Sequence, residues 1–117
     1  MKRGGHIALM PFPYSNLQHS KKRPVLLLRQ IEYRQDDWLV CMVSSQVHRA
    51  HPRLDWVLSP GDAEFAASGL KVASVFRLSR LAVLEGSLLL GQLGALSDNR
   101  LHDLRQRLAT WLLSDPG

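Results

Sequence analysis

Apolar residues occur in short runs along this chain, and the residues between the runs are typical of turns. The run at residues 25–28 is apolar at every position, which favours a strand buried on both faces. Many short strands with frequent turn signals favour a small barrel over alternating strands and helices. The pattern predicts strands at residues 6–10, 24–30, 38–45, 54–58, 72–78, 82–84 and 88–93.

Turn-forming residues interrupt the pattern in two places. Residues 11–17 contain two prolines and a Ser-Asn pair, which predicts a loop that continues to Arg23. Pro24 has no N–H to donate to a ladder, so it suits the first position of the next strand. Residues 62–68 predict one or two helical turns, with Gly69 as the stop.

The last segment has a helical period instead of a strand pattern. Ser97 or Asp98 can cap the helix, and polar residues lie away from its apolar stripe. The pattern predicts one amphipathic helix packed on the barrel, so residues 1–117 form a single domain of mainly β structure. The stripe consists of Leu101, Leu104, Leu108, Trp111 and Leu112.

Composition limits the classes of protein to which the chain can belong. The 117 residues are 45% hydrophobic, and no apolar run is long enough to cross a bilayer, so no membrane partner is expected. The single cysteine, Cys41, lies in an apolar run, so it is interpreted as a core residue. Because no internal disulfide can form, we expect a reducing cytoplasm.

Charge is distributed unevenly. The net charge is +5, and residues 1–35 contain seven of the 15 lysines and arginines but only one acid, Glu32. Such asymmetry indicates a polyanionic partner. No metal is expected, because His48 and His51 have no apparent third ligand and Pro52 follows them.

Three groups of polar residues are candidates for chemistry on an anion. Cations at residues 21–23 precede the second strand, hydroxyls and an amide at residues 44–46 end the third, and Arg77 and Ser79 share one face of a later strand. Taken singly, each group is also typical of an ordinary surface. In a small antiparallel barrel, neighbouring strands can bring the three groups to one rim, which would bind phosphate without a metal.

In order and spacing, the chain resembles the MazF/PemK family of toxin endoribonucleases from bacterial type II toxin–antitoxin modules. Each motif is weak alone, and the ordered set over most of the chain carries the resemblance. The motifs are Gly5-His6-Ile7-Ala8-Leu9-Met10-Pro11-Phe12-Pro13, Lys21-Lys22-Arg23-Pro24, Val43-Ser44-Ser45-Gln46, Gly69-Leu70-Lys71, Ser74-Val75-Phe76-Arg77-Leu78 and Leu93-Gly94-Ala95-Leu96-Ser97-Asp98.

The resemblance implies a small SH3-like β-barrel that carries a C-terminal amphipathic helix and forms a homodimer. It implies metal-independent, cofactor-free cleavage of single-stranded RNA to a 2′,3′-cyclic phosphate and a 5′-hydroxyl. It also implies a cognate antitoxin whose tail fills the RNA groove. The family's active arginine falls on Arg23, and its hydroxyl residue, commonly threonine, falls on Ser44. An arginine and an acid that some relatives use fall on Arg77 and Ser79, so the acid is replaced here.

The resulting hypothesis assigns a role to each candidate. Arg23 would stabilise the phosphorane, Ser44 would hydrogen-bond the phosphate or the 2′-hydroxyl, and His19 would transfer a proton. There are two alternatives. One is a non-catalytic family member that binds antitoxin or nucleic acid, and the other is a gyrase-poisoning toxin on the same barrel. The RNA-binding residues of the hypothesis are Lys21, Lys22, Ser45, Gln46, Arg77, Ser79 and Tyr14.

Overall fold

The structure, a computed structural model, describes residues 2–13, 20–32 and 34–116. One six-stranded antiparallel sheet contains all the strands described, and two 3₁₀ turns lie at Val47–Arg49 and Gly86–Leu88. The strands are β1 (His6–Pro13), β2 (Ser20–Glu32), β3 (Asp37–Ser44), β4 (Trp56–Leu58), β5 (Ser74–Glu85) and β6 (Gly91–Ala95). The helices are α1 (Phe65–Ser68) and α2 (Asp98–Leu113).

The sheet curls into a half-barrel. The strand order is β4-β5-β3-β2-β1-β6, so β4 and β6 are its edges. Helix α1 follows β4 in the chain but packs against β6, and therefore joins the two edges. The small barrel with a C-terminal helix, predicted from the sequence, is confirmed.

Apolar side chains pack on both faces of the sheet. Leu26 and Leu28 belong to the cluster that α2 covers, whereas Val25 and Leu27 belong to a second cluster on the other face. All four are at most 2% exposed. This arrangement explains why residues 25–28 are apolar without alternation.

The loop predicted from Pro11 to Arg23 is shorter than expected. Strand β1 continues to Pro13 and β2 begins at Ser20, with Pro11 opposite Lys22 and Pro13 opposite Ser20. The nitrogens of the two prolines, which carry no hydrogen to donate, face the edge of β1 on which β6 lies. They are tolerated because β6 pairs with β1 only as far as Leu9, so no neighbouring strand needs a donor from Pro11 or Pro13. Turn-forming composition was therefore outweighed by strand pairing.

Other boundaries also differ from the sequence prediction. The pieces at residues 72–78 and 82–84 form one strand, β5, with a register shift opposite the Cys41–Met42 step of β3. Residues 86–88 form a 3₁₀ turn, so β6 begins at Gly91, and β4 begins at Trp56 instead of residue 54. Ends of elements depend on pairing partners that a local pattern does not contain.

Helix α2 is fixed at its beginning and along its length. The Ser97 hydroxyl caps it by accepting a hydrogen bond from the Arg100 N–H at 3.2 Å. The Arg105 guanidinium donates to the backbone carbonyl of Leu28, which ties the helix to β2. Within the described ranges, neither helix has the length and apolar character needed to cross a membrane.

Candidate active site

A cleft of about 480 Å³ opens where β2 and β3 separate. The last pair between these strands is Val25 with Met42. Beyond it, β2 continues alongside β1, where Arg23 lies opposite Met10, and β3 continues alongside β5, where Ser44 lies opposite Val75. Arg23 and Ser44 thus come from the two sides of the split, and both line the cleft.

Pro24 accounts for the point at which the strands separate. It lies opposite Leu9, whose carbonyl accepts a hydrogen bond from the Leu90 N–H on the β6 side at 2.8 Å. Leu9 and Pro24 therefore form a non-hydrogen-bonded pair of the antiparallel ladder, in which each residue directs its backbone N and C=O away from the other. The Pro24 nitrogen therefore faces β3, where it has no hydrogen to donate, and the β2–β3 ladder ends at Val25.

Four cations and no acid are found among the described residues that line the cleft. Arg23 is half-buried, whereas Lys21 and Lys22 are exposed. The absence of an acid leaves a positive field directed into a partly enclosed space. The lining residues are Lys21, Lys22, Arg23, Pro24, Val43, Ser44, Ser45, Gln46, Gly69, Leu70, Lys71, Val72, Ser74 and Leu93.

The end of β3 presents hydroxyl and amide groups to these cations. The Ser44 Oγ accepts a hydrogen bond from the Gln46 backbone N–H at 3.1 Å, which fixes the turn that follows the strand. Because the hydroxyl accepts in this bond, its own O–H is available to donate to a ligand. Ser44 is half-buried, and Ser45 and Gln46 are exposed beside it.

The third wall of the cleft was not assigned to the site from the sequence. Gly69 ends α1 with a positive φ of 73°, and a Cβ there would lie 2.0 Å from the Leu93 carbonyl oxygen. This close approach places Lys71 and Val72 beside Leu93 at the cleft. The motif Gly69-Leu70-Lys71 was part of the family resemblance, so its lysine could have been included.

Arg77 and Ser79 were expected at the same rim, but the structure places them beside Asp55. The Ser79 N–H and hydroxyl donate to the Asp55 carboxylate at 3.0 and 2.9 Å, and the Arg77 Nε donates at 3.4 Å. Neither residue is among those that line the cleft in the described part of the chain. The register shift in β5 and the attraction of a fully buried carboxylate account for this difference.

Two of the remaining candidates, Tyr14 and His19, lie outside the described residues. Among the residues that are described, no group of three or more His, Cys, Asp or Glu side chains is arranged to hold a metal ion. Cys41 is fully buried in the core, and burial raises the pKa of its thiol, so the thiolate that a nucleophile requires is disfavoured.

A family model described as PemK-like, MazF-like toxin of type II toxin-antitoxin system matches residues 3–112. No curated protein sequence matches the chain.

Two solved structures are similar in fold. One is an endoribonuclease in complex with its cognate antitoxin from a mycobacterial species, with a TM-score of 0.66 and 16% identity over 99% of this chain and 100% of that one. The other is the Mycobacterium tuberculosis toxin MazF-mt6, with a TM-score of 0.64 and 18% identity over 92% of this chain and 98% of that one. At these identities the likeness concerns the fold.

Proposed function

Since the chain belongs to the PemK-like, MazF-like toxin family of type II toxin–antitoxin systems, we propose that it is an endoribonuclease that cleaves single-stranded messenger RNA without a metal. The observation that carries the proposal is the cleft in which Arg23 and Ser44 face the same space. A polyanion would enter a cleft lined by four cations and no acid in the described residues.

The reaction uses a nucleophile that RNA already contains. The 2′-hydroxyl attacks the adjacent phosphorus, the bond from phosphorus to the 5′-oxygen breaks, and the products carry a 2′,3′-cyclic phosphate and a 5′-hydroxyl. One proton leaves the 2′-oxygen and one is delivered to the departing 5′-oxygen. The protein must align the attack and stabilise charge on the phosphoryl oxygens.

Arg23 and Ser44 are suited to these two tasks. A guanidinium is always charged and can donate two parallel hydrogen bonds to phosphoryl oxygens, so Arg23 would stabilise the phosphorane. The Ser44 hydroxyl would donate to the phosphate or orient the 2′-hydroxyl, with its oxygen held by the Gln46 N–H. His19 is the candidate for proton transfer, because imidazole titrates near neutral pH.

The other cations and the amide would hold the strand in place. Lys21, Lys22 and Lys71 would bind backbone phosphates, whereas Ser45 and Gln46 are exposed at the cleft and would contact bases. Tyr14 would add a stacking surface. Arg77 and Ser79 are assigned instead to holding Asp55, because that is where their hydrogen bonds go.

Two protein partners belong to the proposal. The similar mycobacterial endoribonuclease is described in complex with its cognate antitoxin, which supports a cognate antitoxin as partner here. A homodimer is supported by exposed apolar residues on β5, where Leu81 and Val83 are 40% and 54% exposed beyond the stretch that pairs with β4. The site of action would be the cytoplasm.

The decisive experiment is to incubate the purified toxin, free of antitoxin, with mixed RNA in EDTA and to map the new ends. We expect cleavage at short sequences with 2′,3′-cyclic phosphate ends. Arg23→Ala should reduce the rate by roughly two or more orders of magnitude. Arg29→Ala is the matched control, because Arg29 is an exposed arginine of the same strand that does not line the cleft.

Three outcomes separate the alternatives. Intact RNA at high protein concentration would contradict the nuclease. Intact RNA together with inhibition of DNA gyrase would identify a gyrase-poisoning toxin on the same barrel. Unchanged cleavage by Arg23→Ala would remove Arg23 from the mechanism while leaving the enzyme in place.

A further inference from the structure

A second pocket, of about 280 Å³, lies at the C-terminal end of α2. It is lined by Arg53, Arg107, Thr110, Trp111 and Ser114 and is called here the Trp111 pocket. The lining combines two guanidinium groups, two hydroxyls and one indole, and it contains no acid. Cations beside an accessible face of an aromatic ring are the combination with which proteins bind single-stranded nucleic acid.

The indole of Trp111 is held in a fixed orientation. The His51 ring contacts it edge-on, with ring centroids 4.8 Å apart and planes at 73°. His51 is itself fixed, because its Nδ1 accepts hydrogen bonds from the backbone N–H groups of Arg53 and Leu54 at 3.3 and 3.2 Å. Trp111 is therefore a rigid, half-buried platform instead of a mobile surface side chain.

Arg53 lies over this platform. Its guanidinium carbon is 5.4 Å from the centroid of the Trp111 ring, and the side chain is exposed. A base between the two would need a gap of about 7 Å, which is twice the roughly 3.4 Å spacing of stacked bases. A movement of Arg53 by about 1.5 Å would open that gap, and an exposed arginine can make such a movement easily.

Arg107 supplies a second charge to the lining of the pocket. Its Nη1 donates to the Asp55 backbone carbonyl at 2.9 Å, which uses one of the five N–H donors of the guanidinium. Within the described residues, neither Arg53 nor Arg107 forms an ion pair. The nearby Asp55 carboxylate does not neutralise them, because it is fully buried and binds Arg77 and Ser79.

A basic segment connects the two pockets. Residues 46–54 begin at Gln46 in the cleft wall and lead to Arg53, and they contain two arginines, two histidines and no acid. His48 and Arg49 are exposed on this segment. Seven residues of extended chain span at most about 25 Å. A strand of about seven stacked nucleotides or fewer would cover the same distance.

We propose that the Trp111 pocket is a second nucleotide-binding site, in which one base of single-stranded RNA stacks between Trp111 and Arg53 and a neighbouring phosphate binds Arg107. The inference rests on the proposed function, because the strand it binds is the one held in the cleft. The second site would favour long RNA substrates over short ones and would leave the chemistry at Arg23 unchanged.

The test uses 2′-O-methyl oligoribonucleotides of mixed sequence, which cannot be cleaved because they have no free 2′-hydroxyl. Binding of 3-mers, which are too short to occupy the cleft and the Trp111 pocket together, and of 16-mers would be measured by fluorescence anisotropy for the full chain. We expect Arg53→Ala and Trp111→Leu to weaken binding of the 16-mers roughly fivefold to hundredfold, as expected for the loss of one stacked base, without affecting the 3-mers in the cleft. Arg29→Ala is the control for loss of one positive charge.

The outcomes distinguish this site from the proposed enzyme. Equal loss for 3-mers and 16-mers, or no loss with folded Arg53→Ala, would overturn the second site even if RNA is cleaved. A length-dependent loss would support it even if no cleavage is found, in which case only the nuclease fails. Tighter binding of an acidic peptide than of the 16-mer, with the same dependence on Arg53, would identify a peptide site and overturn the proposal.

Discussion

Ser79 donates both its backbone N–H and its hydroxyl to the carboxylate of Asp55, at 3.0 and 2.9 Å. The register shift between β3 and β5 falls between Arg77 and Leu81, so Ser79 has no partner on β3. The Asp55 carboxylate supplies the hydrogen-bond acceptor that the ladder lacks at this position. Asp55 also accepts from the His51 N–H at 2.8 Å. A carboxylate that is fully buried and this heavily hydrogen-bonded stabilises the fold and is not positioned to act as a base at the cleft.

We expect Asp55→Ala to destabilise the fold by about 3–5 kcal/mol, because it leaves the partly buried Arg77 without its partner. Denaturation in urea would measure the change, and Asp103→Ala, at an exposed position of α2, is the control. RNA cleavage per folded molecule should be unchanged, because Asp55 does not line the cleft. Loss of cleavage in a fully folded variant would contradict this assignment.

Lys71 should contribute to binding RNA through its charge alone. For single strands, the logarithm of the binding constant falls with the logarithm of salt by about 0.7 per phosphate neutralised. Lys71→Ala should therefore reduce this slope by about 0.7 and weaken binding of all sequences alike. Titration of a non-cleavable oligonucleotide at several salt concentrations measures the slope. Arg29→Ala should leave it unchanged, and an unchanged slope for Lys71→Ala would remove Lys71 from the RNA contacts.

Gly69 should be intolerant of a side chain, whereas Gly61 should accept one. Gly69 has a φ of 73°, and its Cβ would lie 2.0 Å from the Leu93 carbonyl, so Gly69→Ala combines backbone strain with a clash. We expect a loss of about 2–3 kcal/mol in unfolding free energy. A Cβ at Gly61 meets nothing within 4 Å, which makes Gly61→Ala the matched control. Equal stability of the two variants would show that α1 does not require this close contact with β6.

His6 should make the fold less stable in mild acid. Burial, followed by the charge of Arg3, lowers the pKa of His6 below its ordinary value of 6.5. The unfolded chain then binds the proton more readily, so the contribution of His6 is complete above about pH 6.5 and is lost as the pH falls through the folded pKa. His6→Gln should lose less stability than the parent between pH 8 and pH 5 in urea denaturation. His102→Gln, at an exposed site on α2, should behave like the parent.

Some of the residues that line the cleft could be selected from the sequence, and others could not. Arg23 and Ser44 were selected from the sequence because one precedes a predicted strand, the other ends one, and both match active residues of the family that the chain resembles; both line the cleft. Lys71 and Leu93 were not selected, because they reach the cleft only through the contact of the turn after α1 with β6. Arg77 was expected at the rim, since strand alternation carries no information about the bulge that directs it to Asp55.

The sequence by itself determined the mainly β character of the chain, the buried central strand at residues 25–28 and the amphipathic helix α2, because these depend on local periodicity and capping. Only the tertiary structure decided that β1 extends through Pro11 and Pro13 and that β2 begins at Ser20, since a proline is harmless wherever no neighbouring strand needs its N–H. The cleft itself also depends on tertiary structure. It exists because the nitrogen of Pro24 faces β3 and cannot donate, and the direction in which a nitrogen points is a property of strand pairing and not of the residue alone.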